Sequence, residues 1–551
     1  MSQLSAKLSK LIDWRVLAIS TVFAVFLFIF EIYFFKTDYI FYNFDFLTYG
    51  NWTFIVFCVL CELFSLFTFG VLCYLSFLSS WQFKLIYFAL FAVAFLHEYS
   101  YYNCYFRFSD LSDFYIASAS TWVQTQNAVY SYWNWLSLLP VFIYSAILFK
   151  IKNKDLSFGY KTFFLVLVIF VGFYVGIFHL RPKFFTPLDF PTVSVANFSR
   201  SVIGYYSSKI IEHGRKRYPI EKPADANFPQ NNIVLVIDES VRGDHLSLNG
   251  YQRPTTPYLE KLVKENLLHN WGITASGSTC SIASYNLLIT GMSVSQLPDS
   301  QRQRWNLPSV FQYAKAMNYK THFFDGQRSI FWGGTPNDLD YIDLWIGVNT
   351  FQYDHDTDNR IAKKANEILS SSSGNFIVIF KRGLHTPFNT NYPPAAEIWK
   401  PGISDSDFPA SPELQPAFLN AFDNSLAYNL DTFFRAITEK ISPKDNNNII
   451  LYTSDHAQTL GENGARYSHC QETPNEAKVP LLMWGYAKNL DTKFKATHAN
   501  LLPTLLDLMN YPESLQKYNY AKSLLKTTEA DNSERFFFSP NLDNGKKLKF
   551  D

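Results

Sequence analysis

Polar residues that could bind a metal ion and carry a nucleophile gather in the C-terminal half of the chain. Asp238-Glu239 and Ser454-Asp455-His456 each follow a short apolar run, and Asp325 and Gly383-Leu384-His385 follow two others. The segment 276–281 reads Ser-Gly-Ser-Thr-Cys-Ser and is rich in hydroxyl groups. Carboxylate, imidazole and hydroxyl groups are ligands for hard or borderline divalent cations. The set therefore predicts a cation held by Glu, Asp and His together with an oxygen nucleophile.

Each of these residues, taken alone, also has an ordinary structural explanation. An acidic residue at the end of a strand often caps a helix, and a run of Ser, Thr and Gly often forms a loop. A single histidine such as His385 or His469 often serves packing or lies at the surface. The metal site is favoured because all of these residues are predicted to meet at one edge of one sheet.

The C-terminal half has the pattern of an α/β domain with a mostly parallel central sheet, because β-branched or apolar runs alternate with helical stretches. Ligands of such sheets bind beyond the carboxyl ends of the strands. A helix is predicted over Tyr258–Leu268, with a hydroxyl cap and an early proline just before it, and another over Ser425–Lys440. The predicted strands are Ile233–Ile237, Thr321–Phe324, Phe376–Phe380, Ile449–Thr453 and Val479–Trp484.

The N-terminal third has the composition of a membrane domain. Aromatic residues make up 18% of the chain, and its 53 phenylalanines are concentrated in this part. Apolar runs of about 20 residues can cross a bilayer as helices. Five such runs are Val16–Phe35, Thr53–Leu78, Phe83–Tyr102, Trp133–Phe149 and Thr162–Leu180. We expect the first run to be retained as an anchor, because no small-residue cleavage site follows it.

Basic residues in the short loops predict the orientation, since they favour the cytoplasmic side. They are concentrated in segment 7–15 and in segment 150–161. With an odd number of spans, the chain beyond Leu180 then lies outside the cytoplasm, whereas an even number would place it inside. The predicted organisation is a transmembrane domain of about five helices (1–180), a linker (181–230) and an extracytoplasmic catalytic domain (231–551).

Charge and cysteine content argue against two classes of protein, those that bind nucleic acid and those that are small and stabilised by disulfides. The formal net charge is +1, so nothing points to nucleic acid as a partner. Of the six cysteines, only Cys280 and Cys470 fall in the polar half, which argues against a small disulfide-stabilised fold.

Several motifs of the polar half together resemble a known family, the membrane-bound phosphoethanolamine transferases of the sulfatase and alkaline phosphatase superfamily. The resemblance covers both halves of the chain, since that family has five spans before its catalytic domain. The motifs are Val236–Arg242, Asn249–Pro257, Gly383–Phe388, Ser454-Asp455-His456, Leu460–Gly464, His469, Val479-Pro480, His498 and Asn500–Thr504.

The resemblance implies roles for individual residues. Glu239, Asp455 and His456 would bind zinc, as one or two ions, with the nucleophile as a further ligand. Zinc lowers the pKa of a bound hydroxyl and polarises phosphoryl oxygens. His385 and His469 would hold the transferred group or protonate the leaving oxygen, and either could help to bind a second metal ion.

The nucleophile segment departs from the family pattern, in which a threonine lies within Cys-Gly-Thr-x-Thr. Counting back from Leu287-Leu288-Ile289-Thr290-Gly291 places Ser281 at the nucleophile, and we favour it. Alignment on the glycine places Cys280 there instead, and Thr279 is a third candidate. Cys280 and Cys470 could also form a disulfide in an oxidising compartment, which favours Ser281. Formylglycine chemistry is disfavoured, because Tyr285 stands where that modification needs arginine.

The function implied by the resemblance is transfer of phosphoethanolamine from phosphatidylethanolamine to lipid A, core oligosaccharide or another envelope glycan, through a covalent enzyme intermediate. The chain would be a multi-pass protein of the bacterial inner membrane, monomeric, with its catalytic domain on the periplasmic side. Its partners would be a phospholipid donor, a glycolipid or glycan acceptor and the membrane. Alternatives are a phosphoglycerol transferase, a membrane-anchored phosphodiesterase or sulfatase-type hydrolase, and a non-catalytic relative.

Overall fold

The chain divides into two compact units. A computed structural model describes residues 13–44, 56, 66, 69–105, 135–151, 216–328, 336–403, 412–443, 447–462, 469–543 and 545–551. The N-terminal helices belong to one unit, and the described chain from residue 216 onward belongs to the other.

The described part of the N-terminal unit is helical. Within the described residues, one helix is long and apolar enough to cross a membrane, over Trp14–Glu31. The helices overlap the first four predicted runs, whereas the fifth run, Thr162–Leu180, and most of the second lie outside the described residues. The helices are α1 Trp14–Phe44, α2 Phe69–Leu78, α3 Trp81–Tyr105 and α4 Trp135–Lys150.

Aromatic stacking and one buried lysine join α3 to α4. Phe91 stacks on Tyr144 with ring centroids 4.2 Å apart. Lys84 is buried at the start of α3, and its ammonium group donates hydrogen bonds of 2.7 Å to the carbonyls of Leu148 and Ile151. A lysine in this position satisfies carbonyls that the end of α4 leaves without helical partners.

The second unit is built on a seven-stranded sheet in the order β2-β7-β6-β1-β5-β3-β4. β7 pairs antiparallel with both of its neighbours, so it alone among these seven strands runs against the rest. The five predicted strands are confirmed as β1, β3, β5, β6 and β7, and the mostly parallel sheet is confirmed as well. The strands are β1 Asn232–Asp238, β2 Leu268–Ala275, β3 Lys320–Asp325, β4 Leu344–Ile346, β5 Asn375–Phe380, β6 Asn448–Ser454 and β7 Lys478–Trp484.

Helices cover both faces of this sheet. Alternate residues of β1 point to opposite faces, so Val234 and Val236 join one apolar core while Ile233 and Leu235 join the other. A strand buried on both faces is a continuous apolar run, which is why β1 could be predicted from the sequence. The helices are α5 Pro257–Lys264, α6 Ser281–Thr290, α7 Val310–Ala316, α8 Val348–Phe351, α9 Thr357–Ser371, α10 Gln415–Thr438 and α11 Leu501–Leu508.

The two predicted helices are present with different ends. α5 ends at Lys264 rather than Leu268, because Asn266 adopts a left-handed conformation and the chain returns as β2. The predicted hydroxyl cap is wrong, since Thr256 makes no side-chain capping bond and Asp431 instead accepts the Tyr258 N–H at 2.7 Å. α10 begins ten residues before the predicted start, at Gln415.

The chain before and after the sheet packs on this second unit. Residues 216–230 form neither helix nor strand, but the buried Arg217 is paired with Asp338 at 2.6 Å. That described part of the predicted linker is therefore fixed to the unit. At the other end, β8 Phe536–Ser539 and β9 Lys546–Lys549 form an antiparallel pair. Phe538 N–H donates to the Gly277 carbonyl at 3.1 Å, which ties this pair to the segment before α6.

Candidate active site

The candidate active site lies where β1 and β6 end side by side. The two strands run in parallel, and the Asp455 N–H donates to the Asp238 carbonyl at 2.8 Å. The residues that follow the two strands are therefore brought together. One ligand atom from each of Glu239, Asp455 and His456 lies within 4.8 Å of the others. All three residues are almost fully buried.

Two carboxylates buried this close together need a cation or a proton between them. Asp455 Oδ1 accepts the His456 N–H at 2.7 Å, whereas Oδ2 is buried and lacks a hydrogen-bond partner within the described part of the chain. Burial first, and then the charge of Glu239, raises the pKa of Asp455 well above its usual value. Two buried carboxylates and an imidazole, with one oxygen left without a partner, fit a divalent cation such as zinc.

Histidines determine the charge of Glu239. Burial raises its pKa, but the positive charge that His456, His385 and His469 carry when protonated, together with the hydrogen bond from Ser240, lowers it by more, so that the pKa lies below its usual range. Burial lowers the pKa of His456, which favours the neutral ring. His456 Nδ1 lies 2.8 Å from the Ala457 carbonyl, so this nitrogen carries the proton and Nε2 keeps its lone pair. That tautomer is the one that binds a metal ion through Nε2.

Ser281 brings a hydroxyl group to both His456 and Glu239. It is the first residue of α6, and Cys280 before it is extended. Ser281 Oγ lies 3.0 Å from His456 Nε2 and 3.5 Å from Glu239 Oε2. The role of Ser281 as nucleophile and additional metal ligand stays a prediction, and this placement agrees with it.

The side chains of the two other nucleophile candidates are bonded to other residues. Thr279 Oγ1 is fully buried, lies 2.7 Å from Ser539 Oγ and is 3.2 Å from the Gln471 carbonyl. Cys280 is joined to Cys470 in a disulfide, as hypothesised from the sequence. The alternatives that placed the nucleophile at Thr279 or Cys280 therefore have no support in the geometry, because neither a free hydroxyl nor a free thiol reaches the site from them.

His385 and His469 approach the site on separate loops. His385 follows a turn in which Leu384 N–H donates to the Glu239 carbonyl at 3.0 Å, and its Nδ1 lies 2.7 Å from the Thr386 carbonyl. The ring of His469 stacks on His456 with centroids 4.5 Å apart. The structure thus brings both histidines into the surroundings of the metal ligands.

Sequence reasoning missed two residues that support the site. Gln327 Nε2 donates to Glu239 Oε2 at 3.1 Å and to the Lys381 carbonyl at 2.8 Å. Asp358 accepts the N–H groups of Arg382 and Gly383 at 2.7 and 3.0 Å, and so holds the turn that leads to His385. The Gln327 contact joins residues 88 positions apart, and no local pattern marks either side chain.

Two acidic residues of the predicted cluster have structural roles instead. Asp238 is paired with the fully buried Lys381 and accepts a hydrogen bond of 2.7 Å from the Tyr452 hydroxyl. Asp325 accepts the N–H groups of Gln327 and Arg328 at 2.8 and 3.0 Å. Both carboxylates therefore fix the ends of their strands, and neither joins the group of possible metal ligands.

Known proteins share this fold and this domain. Residues 231–511 match the family model described as Sulfatase. A Kdo(2)-lipid A phosphoethanolamine 7''-transferase of Escherichia coli is 23% identical over 344 residues, which are 56% of this chain and 58% of the relative. Phosphoethanolamine transferase EptA of Helicobacter pylori is 25% identical over 296 residues, 53% of each chain. The chain thus spans little more than half the length of these curated relatives.

A solved structure extends the likeness beyond the sulfatase domain. The integral membrane protein lipooligosaccharide phosphoethanolamine transferase A of Neisseria meningitidis has a TM-score of 0.59 and 17% sequence identity. The match covers 88% of this chain and 95% of the other, so it includes part of the N-terminal unit. Because the family model covers half of the sequence and its domain carries the expected sheet, the chain belongs to the sulfatase family.

Proposed function

We propose that this chain transfers phosphoethanolamine from phosphatidylethanolamine to a glycolipid or glycan of the bacterial envelope. The observation that carries the proposal is the position of Ser281, whose hydroxyl lies against His456 and Glu239 at the end of the sheet. The names of the relatives favour phosphoethanolamine as the group that is transferred.

The transfer would take place in two steps on Ser281. Its hydroxyl group gives its proton to a neighbouring base or to water, and the oxygen attacks the phosphorus of the donor. The bond from phosphorus to the diacylglycerol oxygen breaks, and that oxygen takes up a proton. A hydroxyl or phosphate oxygen of the acceptor then attacks the same phosphorus, the bond from phosphorus to Ser281 Oγ breaks, and Oγ takes up a proton again. A bound zinc ion would lower the pKa of the serine hydroxyl and polarise the phosphoryl oxygens.

The other residues of the site bind, orient and move protons. Glu239, Asp455 and His456 would hold the zinc ion, in one or two copies. His469, which stacks on His456, and His385 would protonate the leaving oxygen or hold the group during transfer. Gln327 orients Glu239 through its amide.

The membrane arrangement belongs to the same proposal. Both substrates are confined to the envelope, so a catalytic domain tethered by about five spans would meet them at high effective concentration. In this proposal that domain, residues 231–551, lies on the periplasmic side of the inner membrane, after a transmembrane domain at 1–180 and a linker at 181–230, and the loop charges support this orientation.

The proposed function is tested by comparing two phospholipid donors. The whole chain, purified in detergent with zinc, is incubated with lipid A and with either phosphatidylethanolamine or phosphatidylglycerol, and diacylglycerol and modified lipid A are measured. We expect both products from phosphatidylethanolamine, and neither from a Ser281→Ala variant. Products from phosphatidylglycerol alone would replace the donor, and diacylglycerol without any modified acceptor would indicate a hydrolase.

A further inference from the structure

His469 lies on a segment without regular structure. Residues 469–473 form neither helix nor strand, and Cys470 adopts a left-handed φ of 64°. Its neighbour Cys470 is bonded to Cys280, the residue just before Ser281. One covalent link therefore joins the positions next to the proposed nucleophile and next to a histidine that stacks on a metal ligand.

Hydrogen bonds reinforce this link from both sides. The Cys470 N–H donates to the Thr279 carbonyl at 2.9 Å. Ser539 Oγ donates to the Gln471 carbonyl at 2.8 Å, and it lies 2.7 Å from Thr279 Oγ1, whose single proton can complete the pair. On the other side, the buried Glu476 carboxyl group accepts the Gln471 N–H at 2.6 Å.

We propose that the Cys280–Cys470 disulfide with Thr279 and Ser539, here called the disulfide clamp, positions His469 against His456, the neighbour of Ser281, and so sets the rate of group transfer. The inference rests on the proposed function, because it assigns His469 to the transfer step. Group transfer is sensitive to placement, since a shift of about 1 Å at a reacting group can cost about 100-fold in rate. The clamp would act through His469 rather than through contact with substrate or metal.

Two further features support a positioning role. The clamp is built from residues of three separate parts of the chain, since the cysteines are 190 positions apart and Ser539 ends β8. It also leaves Glu239, Asp455 and His456 untouched, because strands β1 and β6 hold those residues. Opening the clamp should therefore change the geometry of His469 while the metal ligands stay in place.

The test compares the oxidised and reduced whole chain in detergent with zinc. The phosphine reductant TCEP is applied to the wild type and to a Cys280→Ala/Cys470→Ala variant, and the rate of diacylglycerol release, the bound zinc and amide hydrogen exchange of peptide 469–473 are measured. On reduction of the wild type, we expect kcat to fall by about 10-fold or more, KM to change by less than about twofold, and exchange to rise, with zinc retained. The double cysteine variant should resemble the reduced wild type and should not respond to the reductant.

A second variant separates the hydrogen bonds from the disulfide. Thr279→Val/Ser539→Ala keeps the disulfide, and we expect a smaller fall in kcat and faster exchange of peptide 469–473. Reduced wild type with unchanged kcat and unchanged exchange would overturn the proposal, and so would loss of zinc on reduction, since the clamp would then support the metal site itself. If no lipid donor reacts with the oxidised protein, the proposed function fails, and exchange of peptide 469–473 still decides whether the clamp holds the segment.

Discussion

Ser281 Oγ lies 3.0 Å from His456 Nε2, and His456 Nδ1 is fixed by the Ala457 carbonyl at 2.8 Å. The hydrogen bond to Ala457 determines how His456 meets Ser281. With the proton on Nδ1, the lone pair of Nε2 faces the serine hydroxyl. A hydroxyl group at the start of a helix, beside an imidazole that could bind a metal ion, is the arrangement that the proposed nucleophile needs.

Removal of the Ser281 hydroxyl should abolish transfer. We expect Ser281→Ala to lower kcat by at least about 1000-fold, as losses of nucleophiles do, and to leave the fold intact. Ser281→Thr keeps a hydroxyl at the same position and should retain part of the activity. The assay is diacylglycerol release from phosphatidylethanolamine by the whole chain. An alanine variant as active as the wild type would show that another group forms the intermediate.

Substitution of the proposed metal ligand Asp455 should change the stability of the protein differently with and without zinc. With zinc bound, Asp455→Asn should lose most of the rise in Tm that zinc gives the wild type, because one charged ligand is gone. Without zinc, the same variant should be at least as stable as the wild type, because burial and Glu239 already favour a neutral group at position 455 and asparagine is neutral at every pH. Thermal unfolding in zinc and in chelator tests both statements. Equal zinc-dependent shifts in the two proteins would argue against Asp455 as a ligand.

Gln327 should tune metal affinity without contacting the metal. Its amide is bonded to Glu239 Oε2 and to the Lys381 carbonyl, so it fixes the direction of a ligand. We expect Gln327→Ala to weaken zinc binding by about 10- to 100-fold, the usual cost of losing such a partner. The exposed Gln301 offers a matched control, and Gln301→Ala should leave zinc affinity unchanged. Competition with a chromogenic chelator measures the zinc affinity of both variants.

His498 should make the second unit lose stability in acid. Its Nδ1 accepts the Gly277 N–H at 3.1 Å, and burial lowers its pKa from 6.5 to about 3. Between these values the unfolded chain binds more protons than the folded chain, so stability falls as the pH falls, by up to about 1.4 kcal/mol per pH unit. A His498→Asn variant, which cannot titrate, should show a flatter dependence. Unfolding curves followed by tryptophan emission between pH 4 and 7 make the comparison, and parallel curves would contradict it.

Gly383 should tolerate no side chain. Its φ is +58°, and a Cβ there would lie 2.7 Å from the Glu239 nitrogen and would also meet the Asp238 carboxylate. We expect Gly383→Ala to cost at least about 1 kcal/mol of stability from the left-handed backbone alone, and to displace both Glu239 and the loop of His385. Gly250→Ala is the matched control, because Gly250 also has a positive φ but has open space around it. If Gly383→Ala loses zinc and Gly250→Ala does not, the loss is due to the clash with Glu239 and Asp238 and not to the positive φ.

The parts of the fold that depend on a local sequence pattern could be predicted from the sequence. β1 and β5 are buried on both faces, so their continuous apolar runs identified them. β2 was missed because His269, Asn270 and Gly272 interrupt its run, and β4 has only three residues. The direction of β7 depends on pairing with distant strands, which no local pattern encodes.

The candidate site was predicted as far as residue type and strand ends allowed. Glu239, Asp455 and His456 follow strands that could be recognised, and the parallel pairing of β1 with β6 brings them together. The choice among Thr279, Cys280 and Ser281 depended on which way each side chain points. Gln327 could not be found, because its role exists only through the fold.

Trapping the covalent intermediate tests the central claim most directly. The zinc-loaded whole chain is mixed with a short-chain phosphatidylethanolamine without acceptor, quenched in acid and digested, and the peptide that contains Ser281 is analysed by mass spectrometry. The account predicts one phosphoethanolamine group on Ser281, absent after chelation of zinc and absent in Ser281→Ala. A phosphoethanolamine group on any other residue, or release of diacylglycerol by Ser281→Ala at the wild-type rate, would contradict it.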